Sequence, residues 1–381
     1  MTVTGIICEY NPFHKGHKKQ IDRIRQLRGN ESGIVCLMSG HYVQRGAPAI
    51  IDKCLRAEAA VRSGADLVLE LPVNVALSSA EGFAAGGVSI LSDFCQELCF
   101  GAESPDSESL VQTAEALLSP SFRESLRHQL DKGLSFPVAR QAALDTIGIP
   151  TNLLSTPNNI LAVEYCKAIL SQNSPLKPLP ILRQGSYHDL RADPENPSAT
   201  SLRQLMGPGG WEAYVPQEAL PSMQGATIHT LQAGERAILG KLRTMDDIDF
   251  EALPYGSEGL WRKLMHECRR QSTLENILTA VKSKRYTRTR LDRMVMCAFL
   301  GITEECLNWK APYIRVLALN DRGREILKCA RQTGVFPNIG EHRDDPWQTL
   351  ENRWGDLYGL FAEGAPEPAG KESERRIFYH R

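Results

Sequence analysis

The chain has 381 residues, enough for two domains around a sizeable buried core, and its 42% hydrophobic and 23% charged residues are those of an ordinary globular protein. A net charge of −1 excludes a protein that is basic all over, while leaving room for a local basic patch. No apolar run reaches the roughly 18 residues of a membrane span, so a membrane partner is excluded as well.

The opening stretch, MTVTGIICEYNPF, has no basic flank and leads straight into a strand over residues 2–8, which does not fit a signal peptide. A helix follows over residues 17–28, with Ile21, Ile24 and Leu27 on one face and Gly29 past its end. The pattern then gives a strand at 33–39, a helix at 52–63, a strand at 67–71, an Ala/Gly-rich helix at 78–91, a strand at 97–100 and a helix at 107–118. Near-continuous apolar strands separated by helices predict an α/β fold, a Rossmann-like parallel sheet covered on both faces that binds ligands at the strands' C-terminal ends. A helical insertion is expected over about 120–170, then a strand at 180–183, closing a first domain at 1–206. Residues 207–225, rich in Pro and Gly, read as a linker. Beyond it, helices at 231–244, 258–270, 274–284 and 291–300 and one extended segment at 313–319 predict a mainly helical C-terminal domain over 226–381. The tail at 364–376 reads as mobile. Ten cysteines are scattered without a CxxC pair, so no metal site or disulfide framework is expected, and reducing cytoplasm is the expected compartment.

The segment Gly5-Ile-Ile-Cys-Glu-Tyr-Asn-Pro-Phe-His-Lys-Gly-His17 carries the chemistry. Pro12 removes a backbone donor and ends the strand, and Gly16 lets the backbone approach a ligand. His14 and His17 then stand at the start of a helix, where free N–H groups and the helix dipole favour an anion. Two imidazoles there can donate to phosphate oxygens as pyrophosphate leaves an α-phosphate, so both are candidate catalytic residues. A pair of surface histidines or metal ligands is the competing reading. Ser198-Ala-Thr-Ser201-Leu-Arg203 opens another helix and offers hydroxyls and a cation to the same phosphates, similar to the ISSTxxR element of HxGH nucleotidyltransferases. Further on, Lys282-Ser-Lys284-Arg285-Tyr286-Thr-Arg288-Thr-Arg290-Leu-Asp-Arg293 concentrates six basic residues and one aromatic at a helix–helix junction. Such a patch fits RNA phosphates and stacked single-stranded bases, although a charge run is more often a solvated helix.

An ordered series joins these features. It comprises Cys8-Glu-Tyr-Asn-Pro-Phe-His-Lys-Gly-His17, Met38-Ser-Gly-His-Tyr-Val-Gln-Arg-Gly46, Gly64-Ala-Asp-Leu-Val-Leu-Glu-Leu-Pro72, Ser78-Ser-Ala-Glu-Gly82, Phe100-Gly-Ala-Glu103, Pro157-Asn-Asn-Ile-Leu161, Tyr187-His-Asp189 and Lys284-Arg-Tyr-Thr287. Together these resemble the bacterial tRNA(Met) cytidine acetate ligase family of the HxGH superfamily, over roughly residues 3–320. The resemblance implies that ATP, with Mg2+, and acetate give acetyl-adenylate. The acetyl group then passes to the wobble cytidine of elongator tRNA(Met), making N4-acetylcytidine without acetyl-CoA. It implies ATP contacts from Ile7, Cys8, Glu9, Tyr10, Asn11, Pro12, Phe13, His14, Lys15, Gly16, His17, Lys18, Lys19 and Gln20, and from Gly101, Asn158 or Asn159, Arg183, Gln184, Ser201 and Arg203. It also implies tRNA contacts from Lys282, Lys284, Arg285, Tyr286, Arg288 and Arg290. Arg45, on the loop after the second strand, is the candidate for the acetate carboxylate, with Lys53, which opens the next helix, a weaker one; Asp66, Glu70, Glu81 and Glu103 have no clear catalytic task. The rival functions are an adenylyl- or cytidylyltransferase making a small cofactor and a nucleotide-responsive RNA-binding scaffold.

Overall fold

The structure, a computed structural model, describes residues 1–149, 152–183, 193–194, 196–330, 335–336 and 345–381. Gln184 and the Tyr187–Asp189 motif lie outside the described residues. The strands in chain order are β1 (Val3–Cys8), β2 (Gly33–Ser39), a small antiparallel hairpin of β3 (Tyr42–Val43) and β4 (Ala47–Pro48), β5 (Leu67–Leu71), β6 (Glu97–Ala102), β7 (Lys177–Leu182), β8 (Ile314–Leu319), β9 (Val335–Phe336) and β10 (Phe378–Tyr379). Apart from the hairpin they form one sheet in the order β10-β8-β5-β2-β1-β6-β7, with β9 also on β8. All pairs are parallel except β5 with β8.

The apolar runs are continuous because both faces are covered. Along β2, Val35 and Leu37 enter one core with the helices Ala80–Leu91, Ser107–Leu118 and Pro157–Ser171. Ile34, Cys36 and Met38 enter the opposite core with the helices Lys15–Arg28 and Lys53–Arg62. Ile21 and Ile24 are buried as their spacing predicts, but Leu27 is 39% exposed at the cleft described below. From β1 the chain moves to β2 and β5 on one side and to β6 and β7 on the other, so the order reverses between β1 and β6. That reversal opens a crevice at the strands' C-terminal ends, the usual ligand position in such sheets.

Three expectations meet a different arrangement. The Pro/Gly-rich stretch at 207–225 packs against the helix Lys53–Arg62, burying Trp211, Val215, Ala219 and Met223 in the sheet's core. The extended segment β8 does not stay with the C-terminal helices but adds to the central sheet, so the chain returns to its first body after the helical stretch. The tail is also fixed: Glu372 is buried, and Arg375 donates to the Asp52 carboxylate. Of the expected insertion at 120–170, the last helix, Pro157–Ser171, packs on two sheet-covering helices and belongs to the sheet's cover. A separate core unites the helices Glu235–Thr244, Leu260–Arg270, Leu274–Val281, Arg288–Leu300 and Pro346–Tyr358.

Candidate active site

The crevice is a cleft of about 1440 Å³, and His14 and His17 stand in its wall. His14 is the N-cap of the Lys15–Arg28 helix, with extended backbone, and its Nδ1 accepts the Gly16 N–H at 3.1 Å. His17 returns the cap: its Nδ1 accepts the His14 N–H at 3.3 Å. Each ring therefore uses Nδ1 as an acceptor, which assigns the proton of the neutral imidazole to Nε2 and leaves Nε2–H as a donor. The rings stack at 3.7 Å, and His17 also rests against Tyr10 and Phe13. Burial holds His14 down at about 3, with the Arg183 and Arg203 cations adding to the effect. Burial, His14 and Arg183 push His17 well below its ordinary value in the same way. Both rings are thus neutral donors at physiological pH. Gly16 is required by the packing, since a Cβ there would meet His14 Cε1 at 2.9 Å.

Two arginines face this pair. Arg203 donates to the Asn11 carbonyl at 2.8 Å and to the Thr200 hydroxyl at 3.1 Å. Its helix, Ala199–Met206, is capped by Ser198, whose hydroxyl accepts the Ser201 N–H at 3.0 Å. Arg183, just past β7, donates to Asn158 Oδ1 at 2.9 Å, and the Asn158 amide donates to Glu103 Oε1 at 2.6 Å. Glu103 also accepts from Thr156 and from the Asn159 N–H. Burial acts to raise the Glu103 carboxyl, but these donors, led by Asn158, hold it below its ordinary range. Glu103 is therefore a positioning residue, aiming Asn158 and through it Arg183.

The structure brings Ile7, Cys8, Glu9, Tyr10, Asn11, His14, Gly16, His17, Lys19, Gln20, Gly101, Asn158, Arg183 and Arg203 to the cleft, together with Arg45. It does not bring Pro12, Phe13, Lys15, Lys18, Asn159 or Ser201 into the lining. Ser201 is buried and donates back to the Ser198 carbonyl at 2.9 Å, because the third helical position turns inward; Ser198 and Thr200 line the cleft instead. Lys18 pairs with Asp22 on the same helix. Asn159 caps the Glu103–Ser104 backbone at 2.9 and 3.1 Å.

Arg56 has no local sequence signal and is fully buried. Its guanidinium donates to the carbonyls of Ile51, Glu9, Ser39 and Gly40, tying the ends of β1 and β2 to the loop beyond the hairpin. Lys53 lies behind the cleft, bonded to Glu70 at 2.7 and 2.8 Å and to Glu372. Asp66 accepts from Arg25 and Asn320, and Glu81 pairs with Lys167, so neither serves the cleft.

The basic run spans a loop and a helix start, since the preceding helix ends at Val281 and the next begins at Arg288. Much of it is engaged within the chain. Arg285 and Tyr286 share Glu258, Arg288 makes paired bonds to Glu275 at 2.9 and 2.7 Å, and Arg290 donates to the Tyr255 carbonyl while lying over the Tyr286 ring. Lys282 and Lys284 are exposed. This helix touches the cleft's rim: Gly46, at φ 77°, has its Cα so close to Asp292 and Arg293 that a Cβ would sit 2.4 Å from their backbone. Gly46→Ala should therefore destabilise the fold by about 1–3 kcal/mol from the left-handed backbone alone, and further by lifting the loop off the helix. Urea unfolding measures this, and a variant as stable as the parent would refute the close approach.

Over residues 1–372 the chain matches the HIGH Nucleotidyl Transferase family. It is 38% identical over 360 residues to the tRNA(Met) cytidine acetate ligase of Clostridium novyi (strain NT), covering 88% of this chain and 89% of the relative. The enzyme of the same name from Alkaliphilus metalliredigens (strain QYMF) is 37% identical over 374 residues, covering 89% and 87%. Among solved structures, apo Thermotoga maritima TmcAL superposes with a TM-score of 0.90 at 29% identity, covering all of both chains. The same protein bound with alpha-thio ATP superposes with a TM-score of 0.87.

Proposed function

The chain belongs to the tRNA(Met) cytidine acetate ligases of the HIGH nucleotidyl transferase family, and from that premise we propose that it activates acetate with ATP and acetylates the wobble cytidine of elongator tRNA(Met) in the cytoplasm. The observation that carries this reading is the paired capping of His14 and His17, which leaves two neutral Nε2–H donors facing two arginines across a cleft at the sheet's reversal. A triphosphate seated there meets donors already in place. As acetate attacks the α-phosphorus, charge passes to the departing pyrophosphate, and fixed donors stabilise it without reorganising. Arg45, exposed at the rim near Arg203, is the cation proposed for the acetate carboxylate. Mg2+ is expected to arrive with the substrate as MgATP, held mainly by the phosphates.

The small-cofactor transferase reading finds no support in these relatives. The test is incubation with ATP, labelled acetate and total tRNA. Label on tRNA supports the ligase, label on a small molecule alone supports the transferase, and acetyl-CoA should not replace acetate with ATP.

The basic run is proposed as the tRNA side, with the engaged arginines shaping the surface and the lysines meeting phosphate. Replacing Lys282 and Lys284 with alanine should weaken tRNA binding and lower the salt slope by roughly one for each phosphate no longer neutralised. Titrations at several salt concentrations decide it; an unchanged slope would place the RNA elsewhere.

A further inference from the structure

Glu9 is the first residue beyond β1 and lines the cleft. Its backbone carbonyl accepts from Arg56 at 2.6 Å, and its Oε1 accepts the Gln44 N–H at 2.9 Å. Backbone and side chain are thus both held, and among the described residues nothing donates to Oε2. The cleft's other lining carboxylate, Asp22, is paired with Lys18, so Glu9 is the one carboxylate there without a direct ion pair among the described residues, the Arg56 and Arg203 cations acting on it only through space.

A triphosphate does not choose an unpaired carboxylate as a neighbour, because like charges repel in a partly desolvated cleft. The surroundings of Glu9 point to the other substrate. Gln44 holds Glu9 through its N–H, and its carbonyl accepts from Arg293 of the basic helix at 3.5 Å. One residue therefore links the carboxylate to the surface proposed for tRNA. On the same loop, Arg45 is proposed for the acetate carboxylate, which puts the acyl end of an adenylate beside Glu9. Arg203 feels both the Glu9 and the Arg45 charges.

Resting on the ligase reading above, we propose that Glu9 takes the proton from the cytidine amine as it attacks the acetyl group, and is not a nucleotide contact. The exocyclic amine of cytosine is a weak nucleophile, since its lone pair is shared with the ring. In the step, a bond forms between N4 and the acetyl carbon, and the bond from that carbon to the AMP phosphate oxygen breaks. The electron pair leaves with AMP, and one N4 proton passes to Glu9 Oε2. General-base assistance of this kind contributes about 10²–10⁴-fold.

The experiment compares Glu9→Gln and Glu9→Asp with the parent in three assays. These are pyrophosphate exchange with acetate, single-turnover transfer to saturating tRNA, and capture of the acetyl group by hydroxylamine, an already basic amine that needs no proton acceptor. In Glu9→Gln, transfer should fall about 100-fold or more, at least roughly ten-fold further than exchange. Hydroxylamine capture should follow exchange, not transfer, and Glu9→Asp should restore part of the transfer. Equal losses in exchange and transfer would make Glu9 a nucleotide or metal contact and overturn the proposal, as would transfer at the parental rate. If the parent itself puts no label on tRNA, the ligase reading fails, which is a separate outcome.

Discussion

His14→Ala or His17→Ala should slow adenylate formation about 10²–10³-fold while leaving the chain folded, the loss typical of one preorganised donor, or about 2.7–4 kcal/mol. The two rings stack at 3.7 Å, so the two effects should not add: without one ring the other loses the neighbour that packs it in place, while its Nδ1 keeps its backbone donor. Pyrophosphate exchange measures the effect, and a folded double variant exchanging at the parental rate would sink the assignment. Because His14 is held at about 3 and His17 also lies well below its ordinary value, exchange needs no imidazolium. The rate should not climb as pH is lowered through 6.5, the ordinary histidine value. The linkage to stability has a definite sign. Between about 3 and 6.5 the unfolded chain binds a proton at His14 that the folded chain refuses, so acidification through that window destabilises the fold.

Glu372→Ala should be the most damaging single change outside the cleft. Its carboxylate accepts from Lys53, Arg315 and Arg375 and faces His41 Nε2 at 3.2 Å, all in the interior. Removing it strands buried cations, and breaking a buried pair from one side typically costs about 3–5 kcal/mol. Glu372→Gln should fall between, since it keeps the shape without the charge. Burial opposes the ionised form, but Lys53, His41 and Arg315 hold Glu372 well below its ordinary 4.5. Its contribution is therefore present above 4.5 and is lost as pH falls below that value. Thermal melts at neutral pH and at pH near 4 check both statements; a neutral-pH melt like the parent's would refute the role.

These two sites differ in how far the sequence exposed them. The strands β1, β2, β5 and β6 are apolar runs ended by Gly, Pro or Asn, and local chemistry suffices to see them. The histidine pair was legible because its geometry is local, spanning four residues and one helix start. Glu372 was not, because three of its four partners, Arg315, Lys53 and His41, stand 57 to 331 positions away and ion pairs of that span leave no periodic trace. Its tail, rich in Pro, Glu and Lys, has a disordered composition that tertiary pairing overrides. Arg56 is hidden for the same reason, since its partners are carbonyls and carbonyls have no residue identity. Ser201 misled because hydroxyls at the N-cap, second and third helical positions look alike in a string, yet only those of Ser198 and Thr200 reach the cleft.

The sheet's two rims bear on how the protein behaves at high concentration. On β7, Lys177 and, just past the strand, Arg183 donate their N–H groups inward to β6, so residues 178, 180 and 182 point theirs outward. Two of those three are Pro178 and Pro180, which have no N–H to offer. At the opposite rim β8 is shielded by the two-residue strands β9 and β10, each too short to template another chain. Among the described residues neither border presents a run of unmet donors, so stacking of one molecule's sheet onto the next is discouraged from both sides. Shortening the chain before Phe378 would unshield one border, and self-association into fibrous or amorphous precipitate is the failure such a truncation invites.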